Sequence, residues 1–352
     1  MAYKRIAVIP GDGIGIDVTA EAVKVIRACG EKTGRKVEIV EYDYGAEKYL
    51  KTGISMPPGG YDDLRTYDAI FMGAFGDPRV PDMKHAADIL LGTRFVLDLY
   101  VNYRPVKLYS DPLCPLKDIH AGEIDMAIVR ENTEGLYVGV GGNFKKNTPD
   151  EIAIQEDINT RRGVQRIIEY AFEFAVKNRR KKVLMADKAN VLTYGHDLWQ
   201  RVFKEVSAKY PQIESSHMYV DALTMQMVLH PKNLDVIVTC NMFGDIITDL
   251  GAALQGGLGM AASANINPNG TSMFEPVHGS APDIAGKGVA NPTALMLSSV
   301  MMLNHLGELQ AADRLRNAIE SVYRDGKHVP HDVGGTAGTA EFTDAVCTAV
   351  KT

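Results

Sequence analysis

Three aspartates have the spacing and context of metal ligands. Asp245 and Asp249 follow a predicted strand that ends at Cys240, and their i, i+4 spacing places both carboxylates on one face of the helix that begins there. Like charges at this spacing destabilise a helix by a few tenths of a kcal/mol, which a cation would offset. Mg²⁺ and Mn²⁺ prefer such oxygen ligands, and Asp221 completes the candidate set. Acidic residues are also favourable in a helix's first turn without any metal, so both interpretations stay open.

Three arginines supply the opposite charge. Arg94, Arg104 and Arg130 each lie within an otherwise apolar stretch. Arginine next to buried segments is well suited to bidentate binding of a carboxylate, although an internal salt bridge would account for each one equally well. Together with a divalent metal, the arginines suggest a ligand with two or three carboxylates.

Lys188 and Tyr137 are candidates for proton transfer. Lys188 follows a predicted strand, at the kind of strand end where active sites of α/β proteins gather. Taken alone, the sequence around either residue favours a surface group over a catalytic one. His278 lies in a long loop, where a role in stacking on a nucleotide and a purely structural role are both open.

A glycine-rich segment, residues 11–15 (Gly-Asp-Gly-Ile-Gly), follows a strand and opens a helix, where backbone N–H groups favour anions. Its spacing lacks the third glycine of the GxGxxG pattern, and no acidic residue ends the second strand as expected. The segment is therefore a weak dinucleotide fingerprint, and a tight turn between strand and helix is the simpler interpretation.

Short apolar runs that alternate with helical patterns must position these residues. Strands are predicted at residues 5–9, 36–42, 69–72, 101–106, 126–130, 182–186 and 236–240, and helices at 17–30, 88–99, 163–177, 195–207 and 243–254. This alternation predicts an α/β protein with a largely parallel or mixed sheet. Residues 137–160 alternate polar and apolar residues after a Gly-rich stretch, which predicts a protruding antiparallel arm. Residues 251–291 read as a long loop, and such loops are usually functional.

Composition narrows the class of protein. The chain has 352 residues, 45% hydrophobic and 23% charged, with a formal charge of −6, which excludes collagen, coiled-coil and disordered classes and argues against nucleic-acid or anionic-membrane partners. The four cysteines form no CxxC pair and are expected to be reduced thiols. An apolar run of four residues before Pro10 is too short for a signal peptide, so we expect a cytoplasmic protein that binds small molecules.

Four segments together carry a family resemblance: residues 11–15, 130–137, 241–249 and 275–286. From about residue 4 to 349 the chain resembles the metal-dependent β-decarboxylating dehydrogenases that act on isopropylmalate, isocitrate, homoisocitrate, tartrate or D-malate. The resemblance implies an isopropylmalate dehydrogenase-like α/β fold of two interleaved domains with a large mixed sheet, distinct from a Rossmann fold. Residues 1–99 with 255–352 would form the larger domain and carry the cofactor loop. Residues 100–254 would form the smaller domain, whose arm (137–160) contacts a second copy in a homodimer.

The resemblance also implies roles for single residues. Arg94, Arg104 and Arg130 would bind the substrate carboxylates, and Leu90 and Leu91 would contact its C3 substituent. Asp245 and Asp249, with Asp221 of the partner subunit, would bind Mg²⁺ or Mn²⁺, which stabilises the enolate as a Lewis acid. Lys188 of the partner subunit would deprotonate the C2 hydroxyl, and Tyr137 would protonate C3. The residues implied to contact NAD are Ile14, Gly73, Ala74, His278, Gly279, Ser280, Ala281, Asp283, Ile284 and Asn291. Asp283 favours NAD because a carboxylate would repel the 2′-phosphate of NADP.

Two departures from the family pattern bear on the substrate. Ile16-Asp17 stands where Pro-Glu is usual, and Ala87 stands where isopropylmalate enzymes usually have Glu. The two leucines nevertheless suit an isopropyl group, so the favoured reaction is the NAD-dependent decarboxylation of (2R,3S)-3-isopropylmalate to 2-oxo-4-methylpentanoate, a step of leucine biosynthesis. Tartrate/D-malate and homoisocitrate/isocitrate dehydrogenases remain alternatives, since a methylene is worth only about 1–3 kcal/mol in such a pocket. An inactive regulatory subunit is disfavoured because Lys188, Tyr137 and the aspartates are all present.

Overall fold

The computed structural model describes residues 4–34 and 37–352, and within them the chain is an α/β protein, as predicted. The strands are β1 (Lys4–Gly11), β2 (Val37–Glu41), β3 (Ala69–Ala74), β4 (Val101–Lys107), β5 (Asp125–Glu131), β6 (Gly141–Phe144), β7 (Ile152–Gln155), β8 (Lys182–Asp187), β9 (Glu214–Tyr219), β10 (Val236–Thr239), β11 (Ala262–Ile266) and β12 (Ser272–Pro276). The helices are α1 (Ile14–Thr33), α2 (Ala46–Thr52), α3 (Gly60–Leu64), α4 (Lys84–Ala86), α5 (Gly92–Val96), α6 (Arg161–Lys177), α7 (Gly195–Ser207), α8 (Val220–Leu229), α9 (Asn241–Leu254), α10 (Thr293–His305), α11 (Leu309–Asp325) and α12 (Thr339–Lys351). Among these residues the strands form a ten-stranded mixed sheet and a separate two-stranded hairpin.

Contacts divide the chain into two units. The first contains Met1–Leu99, Arg104–Ile124 and Ala252–Thr352, and the second contains Tyr100–Tyr103 and Asp125–Gly251. The boundaries expected from the sequence differ from this division at residues 104–124 and 252–254. The physical reason is that residues 104–124 bond to the rest of the first unit: the Lys107 amide donates to Gln255 Oε1 at 2.8 Å, and the Lys107 ammonium lies 3.5 Å from Glu320 Oε1.

In the first unit, β1 lies between β2 and β3 and pairs in parallel with both, β12 pairs in parallel with β3, and β11 is antiparallel to β12. Ile6, Ala7, Val8 and Ile9 of β1 are all buried, as expected for a parallel strand covered on both faces. Helices α1, α10, α11 and α12 pack against one another, and α10 is buried along most of its length. The predicted strand 36–42 is β2, although Lys36 lies outside the described residues.

In the second unit, β10 lies between β5 and β8, and β9 pairs with β8, all in parallel. Helix α6 follows the amphipathic pattern: Val164, Ile167, Ile168 and Ala171 are buried, and the Thr160 side chain caps the helix by accepting from the Gly163 amide. Within the predicted arm, residues 137–160, β6 and β7 pair as an antiparallel hairpin whose residues are all exposed.

The helix predicted near 88–99 is present, but it begins and ends earlier and includes a π-helical turn. Helix α4 starts at Lys84 and passes into a π-helical turn at Ala87–Leu91 before α5. The Tyr61 hydroxyl donates to the Asp88 carbonyl at 2.6 Å, which takes that carbonyl out of the regular ladder. The helix ends early because Asp98 adopts a left-handed φ of 49° and the Leu99 amide turns back to the Arg94 carbonyl.

The expected long loop at 251–291 is wrong over its first half. Helix α9 continues to Leu254, and β11 and β12 then pair antiparallel, with Ala264 opposite Phe274. Strand β11 is mostly small or polar, yet Ala262, Ser263, Ala264 and Asn265 are buried, so pairing with the buried strand β12 decides the strand conformation where local pattern does not. The segment from Val277 to Asn291 is irregular, as predicted. Among the described residues, no helix is both long and apolar enough to cross a membrane.

Candidate active site

The first unit contains a cavity of about 330 Å³ that gathers many of the residues predicted for substrate and cofactor. Its lining residues from that prediction are Gly73, Ala74, Leu90, Leu91, Arg94, Arg104, His278 and Gly279. They reach it from the end of β3, the π-helical turn, α5, β4 and the loop after β12. The cavity also has lining residues that sequence reasoning did not assign to the site: Phe75, Met83, Ala86, Ala87, Glu275, Pro276 and Val277.

Arg94 is buried in this cavity and partly neutralised. Its Nη2 donates to Glu275 Oε1 at 2.7 Å, and the Asn265 side-chain amide donates to the same oxygen. Arg94 Nε has no hydrogen-bond partner among the described residues. A buried guanidinium N–H without an acceptor is costly, so the cavity suits an anionic ligand. Glu275 lies 181 positions from Arg94 in the chain, and its place in the conspicuous segment 275–286 was the only local signal for it.

Part of the lining of the same cavity is apolar. Leu90 and Leu91 are half-buried, and Phe75, Met83 and Ala86 lie around the same space. Apolar surface gains roughly 25 cal/mol per Å² when a ligand removes it from water. A cavity with buried arginines and an aliphatic wall therefore fits a carboxylate that carries an alkyl substituent.

The glycine-rich segment and the predicted cofactor loop touch each other. The Ile14 amide donates to the Ser280 carbonyl at 2.8 Å, and a side chain at Gly13 would overlap that carbonyl. The Gly286 amide donates to Asp17, which gives the unusual Asp17 a structural role. Within this loop Ala281 has a left-handed φ of 36°, Ile284 bonds back to the Ala281 carbonyl, and Asp283 is exposed. This loop is therefore held against the first turn of α1, with Asp283 available to a ligand.

His278 and Asn291 differ in their availability. The His278 Nδ1–H donates to the neighbouring Gly279 carbonyl, and burial lowers the pKa of His278, so its ring is neutral and lines the cavity. The Asn291 side-chain amide donates to Asp332 at 3.0 Å, and its oxygen accepts from the Thr293 amide. Asn291 is thus bonded to protein partners.

Arg130, Tyr137 and Asp245 form a cluster in the second unit. Arg130 is 1% exposed; its guanidinium donates to Asp245 Oδ1 at 2.7 Å and to Asn241, and it lies over the Tyr137 ring. The Tyr137 hydroxyl donates to Asp245 Oδ2 at 2.9 Å. Burial and the Asp245 carboxylate raise the pKa of Tyr137, against the opposing effect of Arg130. Tyr137 therefore keeps its proton at neutral pH, as a proton donor requires.

Lys188 and Asp221 form a second pair in this unit. Lys188 directly follows β8, Asp221 lies in the first turn of α8, and the Lys188 ammonium donates to the Asp221 carboxylate. This hydrogen bond lowers the pKa of Asp221, which is therefore ionised at neutral pH. Neither β9 nor α8 was predicted, because the polar, exposed strand and the weakly amphipathic helix leave little periodic signal.

The three predicted metal ligands are all aspartates, whose carboxylate oxygens suit a hard divalent cation. Asp245 and Asp249 share α9 as predicted, Asp249 is exposed, and the Asp245 side chain is 42% exposed. Carboxylates that solvent can reach fit Mg²⁺ or Mn²⁺. Within the described part of the chain, no three His, Cys, Asp or Glu side chains are placed together to hold a metal ion.

Comparison with known proteins covers nearly the whole chain. The family model described as "Isocitrate/isopropylmalate dehydrogenase" matches residues 5–346. A 3-isopropylmalate dehydrogenase of Thermobifida fusca is 49% identical over 97% of this chain and 96% of its own length. One of Nocardia farcinica is 47% identical over 98% of this chain and all of its own. Among solved structures, isocitrate dehydrogenase from Methylococcus capsulatus superposes with a TM-score of 0.90 at 39% identity, covering 99% of this chain and 100% of its own.

Proposed function

The chain belongs to the isocitrate/isopropylmalate dehydrogenase family, and from this premise we propose that it oxidatively decarboxylates 3-isopropylmalate in leucine biosynthesis. The family and the fold inferred from the sequence are confirmed. The protein is an NAD-dependent decarboxylating dehydrogenase that needs Mg²⁺ or Mn²⁺. One observation supports the choice of substrate above all: buried Arg94 and Arg104 share a cavity with Leu90 and Leu91. In this cavity the arginines would bind a carboxylate, and the leucines would contact an isopropyl group.

The chain's own residues account for binding and proton transfer. Arg94 and Arg104 bind a substrate carboxylate, and Arg130 binds carboxylate from its position beside Asp245. Lys188 of the partner subunit, in its neutral amine form, accepts the proton of the C2 hydroxyl. Tyr137 gives its proton to C3 after carbon dioxide leaves, so that the product is 2-oxo-4-methylpentanoate.

Two bound groups supply what side chains cannot. NAD would be held by the loop that follows β12 and by the start of α1, and it would supply the hydride acceptor for the oxidation at C2. Mg²⁺ or Mn²⁺ would be held by Asp245 and Asp249 with Asp221 of the partner subunit, and it would supply Lewis-acid stabilisation of negative charge on the substrate.

A homodimer would complete the metal site. Asp221 bonds to Lys188 within its own chain, which leaves only two aspartates on α9. Phe144, Ile152 and Ile154 of the hairpin are more than half exposed, as are Met225 and Leu229 of α8, so an apolar surface is available for a second copy. We place the dimer in the cytoplasm, where the four free cysteines would stay reduced.

Substrate preference tests the proposal directly. NAD reduction is measured with Mn²⁺ or Mg²⁺ on 3-isopropylmalate, D-malate, the tartrates, isocitrate and homoisocitrate. We expect kcat/KM for 3-isopropylmalate to exceed that for D-malate by at least about 100-fold. Leu90→Ala should lower this ratio of the two kcat/KM values. A higher kcat/KM on any of the other acids would refute the choice of substrate.

Mixing two inactive variants tests the shared site. Lys188→Met and Asp245→Asn homodimers should each be inactive, and subunit exchange between them should restore activity, since one site of the mixed dimer would be intact. Mass spectrometry shows whether subunits have exchanged. The proposal would be contradicted if the wild type sedimented as a monomer, or if mixed dimers formed and activity did not recover.

A further inference from the structure

His196 lies directly behind the base, Lys188, and this inference rests on the function proposed above. The backbone amide of Lys188 donates to His196 Nδ1 at 2.8 Å, and the His196 side chain is 1% exposed. Lys188 follows the last residue of β8, and His196 is the second residue of α7. The hydrogen bond therefore ties the end of the strand to the start of the helix across the intervening turn, in which the Leu192 amide donates to the Lys188 carbonyl.

The same imidazole also contacts the helix that carries the proposed metal ligands. The ring of His196 packs edge-on against Phe243, with centroids 5.3 Å apart and planes at 68°. Phe243 is two residues before Asp245 in α9. His196 is thus wedged between the strand end that presents Lys188 and the first turn of the helix that presents Asp245.

The hydrogen bond defines the protonation state that this role requires. Because Nδ1 accepts from an amide, the ring proton must be on Nε2 and the ring must be neutral. Nε2 has no hydrogen-bond partner among the described residues, and Asp157 Oδ2 is 4.0 Å away. Burial lowers the pKa of His196, while the nearby carboxylates Asp187 and Asp157 oppose this shift, and the net effect keeps the ring neutral.

We propose that His196 is a positioning residue for the general base: its Nδ1 fixes the backbone of Lys188 and so the direction in which the ammonium side chain leaves the strand end. His196 touches neither substrate nor cofactor in this role. Without the Nδ1 acceptor, the Lys188 amide must find another partner, and the turn that carries the base must move to reach it. Proton transfer depends on placement to within about 1 Å, so the effect falls on turnover more than on substrate binding.

Three variants at this position separate the hydrogen bond from packing. In His196→Asn the side-chain oxygen occupies nearly the place of Nδ1 and accepts the amide, whereas His196→Gln carries its oxygen one bond further out and His196→Leu has no acceptor. We expect kcat on 3-isopropylmalate with NAD and Mn²⁺ to fall about 10- to 100-fold in His196→Leu and His196→Gln, with KM changed less than about threefold, and to recover largely in His196→Asn. His120→Leu, at an exposed histidine of the first unit, should match the wild type.

The outcomes distinguish this inference from the proposed function. Equal losses of kcat in His196→Asn and His196→Leu, or a wild-type kcat in His196→Leu, would overturn it. ¹⁵N NMR of histidine-labelled wild type reads the tautomer without any turnover: an Nε2-protonated ring supports the inference, and an Nδ1-protonated or doubly protonated ring at pH 7.5 overturns it. Absence of NAD reduction by the wild type on 3-isopropylmalate would instead refute the proposed function. The NMR measurement would still show which ring nitrogen of His196 carries the proton.

Discussion

We expect Gly244→Ala to displace Arg130, which is proposed to bind the substrate, and to lower the stability of the fold only slightly. Gly244 is the fourth residue of α9, and the buried side chain of Arg130 lies across it. A Cβ at position 244 would lie 2.6 Å from Arg130 Cβ, 2.9 Å from Cδ and closer still to Cγ. Ordinary van der Waals contacts begin near 3.4 Å, so the two groups must separate by at least about 0.8 Å.

The size of the two effects follows from what holds Arg130. Its guanidinium is bonded to Asn241 and Asp245, which are on the same helix as Gly244, so the side chain cannot simply turn away. Overpacking of this kind costs about 1–3 kcal/mol, and alanine in place of glycine inside a helix returns about 0.5–1 kcal/mol. A shift near 1 Å in a positioning group costs about 100-fold in rate. We therefore expect kcat/KM to fall about 30- to 100-fold and the Tm to fall by only a few degrees.

Steady-state kinetics on 3-isopropylmalate and thermal unfolding measure both quantities. Gly270→Ala is the matched control, because its added methyl would meet only the end of the Asn267 side chain at 3.3 Å. Gly244→Ala with kcat/KM within threefold of the wild type would refute the reasoning. A lowered Tm with unchanged kcat/KM would show that Arg130 is displaced without being needed for the substrate.

Four other perturbations have defined outcomes. Tyr137→Phe removes the hydroxyl beside Asp245 and should lower kcat about 100-fold or more in steady-state assays, and a loss below twofold would exclude Tyr137 as the proton donor. Asp245→Asn should weaken Mn²⁺ binding at least about tenfold by calorimetry with an unchanged circular dichroism spectrum, and equal affinity would remove Asp245 from the metal site. His85→Leu leaves the buried Asp12 carboxylate without its imidazole partner and should lower the free energy of unfolding in urea by about 1–3 kcal/mol. His85→Gln restores a donor and should recover part of that free energy. Burial lowers the pKa of His196 relative to the unfolded chain, so the unfolded state takes up the proton first and the free energy of unfolding should fall as the pH drops below about 6.5. In His196→Asn the dependence of the unfolding free energy on pH should be weaker. An unchanged dependence would contradict the assignment of His196 as a buried neutral imidazole.

Much of the candidate site could be predicted because its residues stand at the ends of strongly patterned elements. The run before Cys240 and the helix after it placed Asp245 and Asp249 on one face of α9 without any long-range information. The apolar run before Lys188 likewise placed that residue at the end of β8. Local periodicity failed where partners far along the chain decide the conformation. Tyr61 bonds to the π-helical turn at Ala87–Leu91, and the strand conformation of β12 and β11 depends on the pairing of β12 with β3 and of β11 with β12.

The sequence by itself therefore determined the family, the α/β class and the identity of the charged residues, because these depend on residue type and short-range spacing. Only the tertiary structure decided which partners those residues have: Glu275 against Arg94, Asp245 beside Arg130 and Tyr137, and His196 behind Lys188. Arg94 and Glu275 are 181 positions apart, and no local pattern encodes such a pair. The physical reason is that a buried charge or amide must find a partner, and packing of distant elements selects which one is within reach.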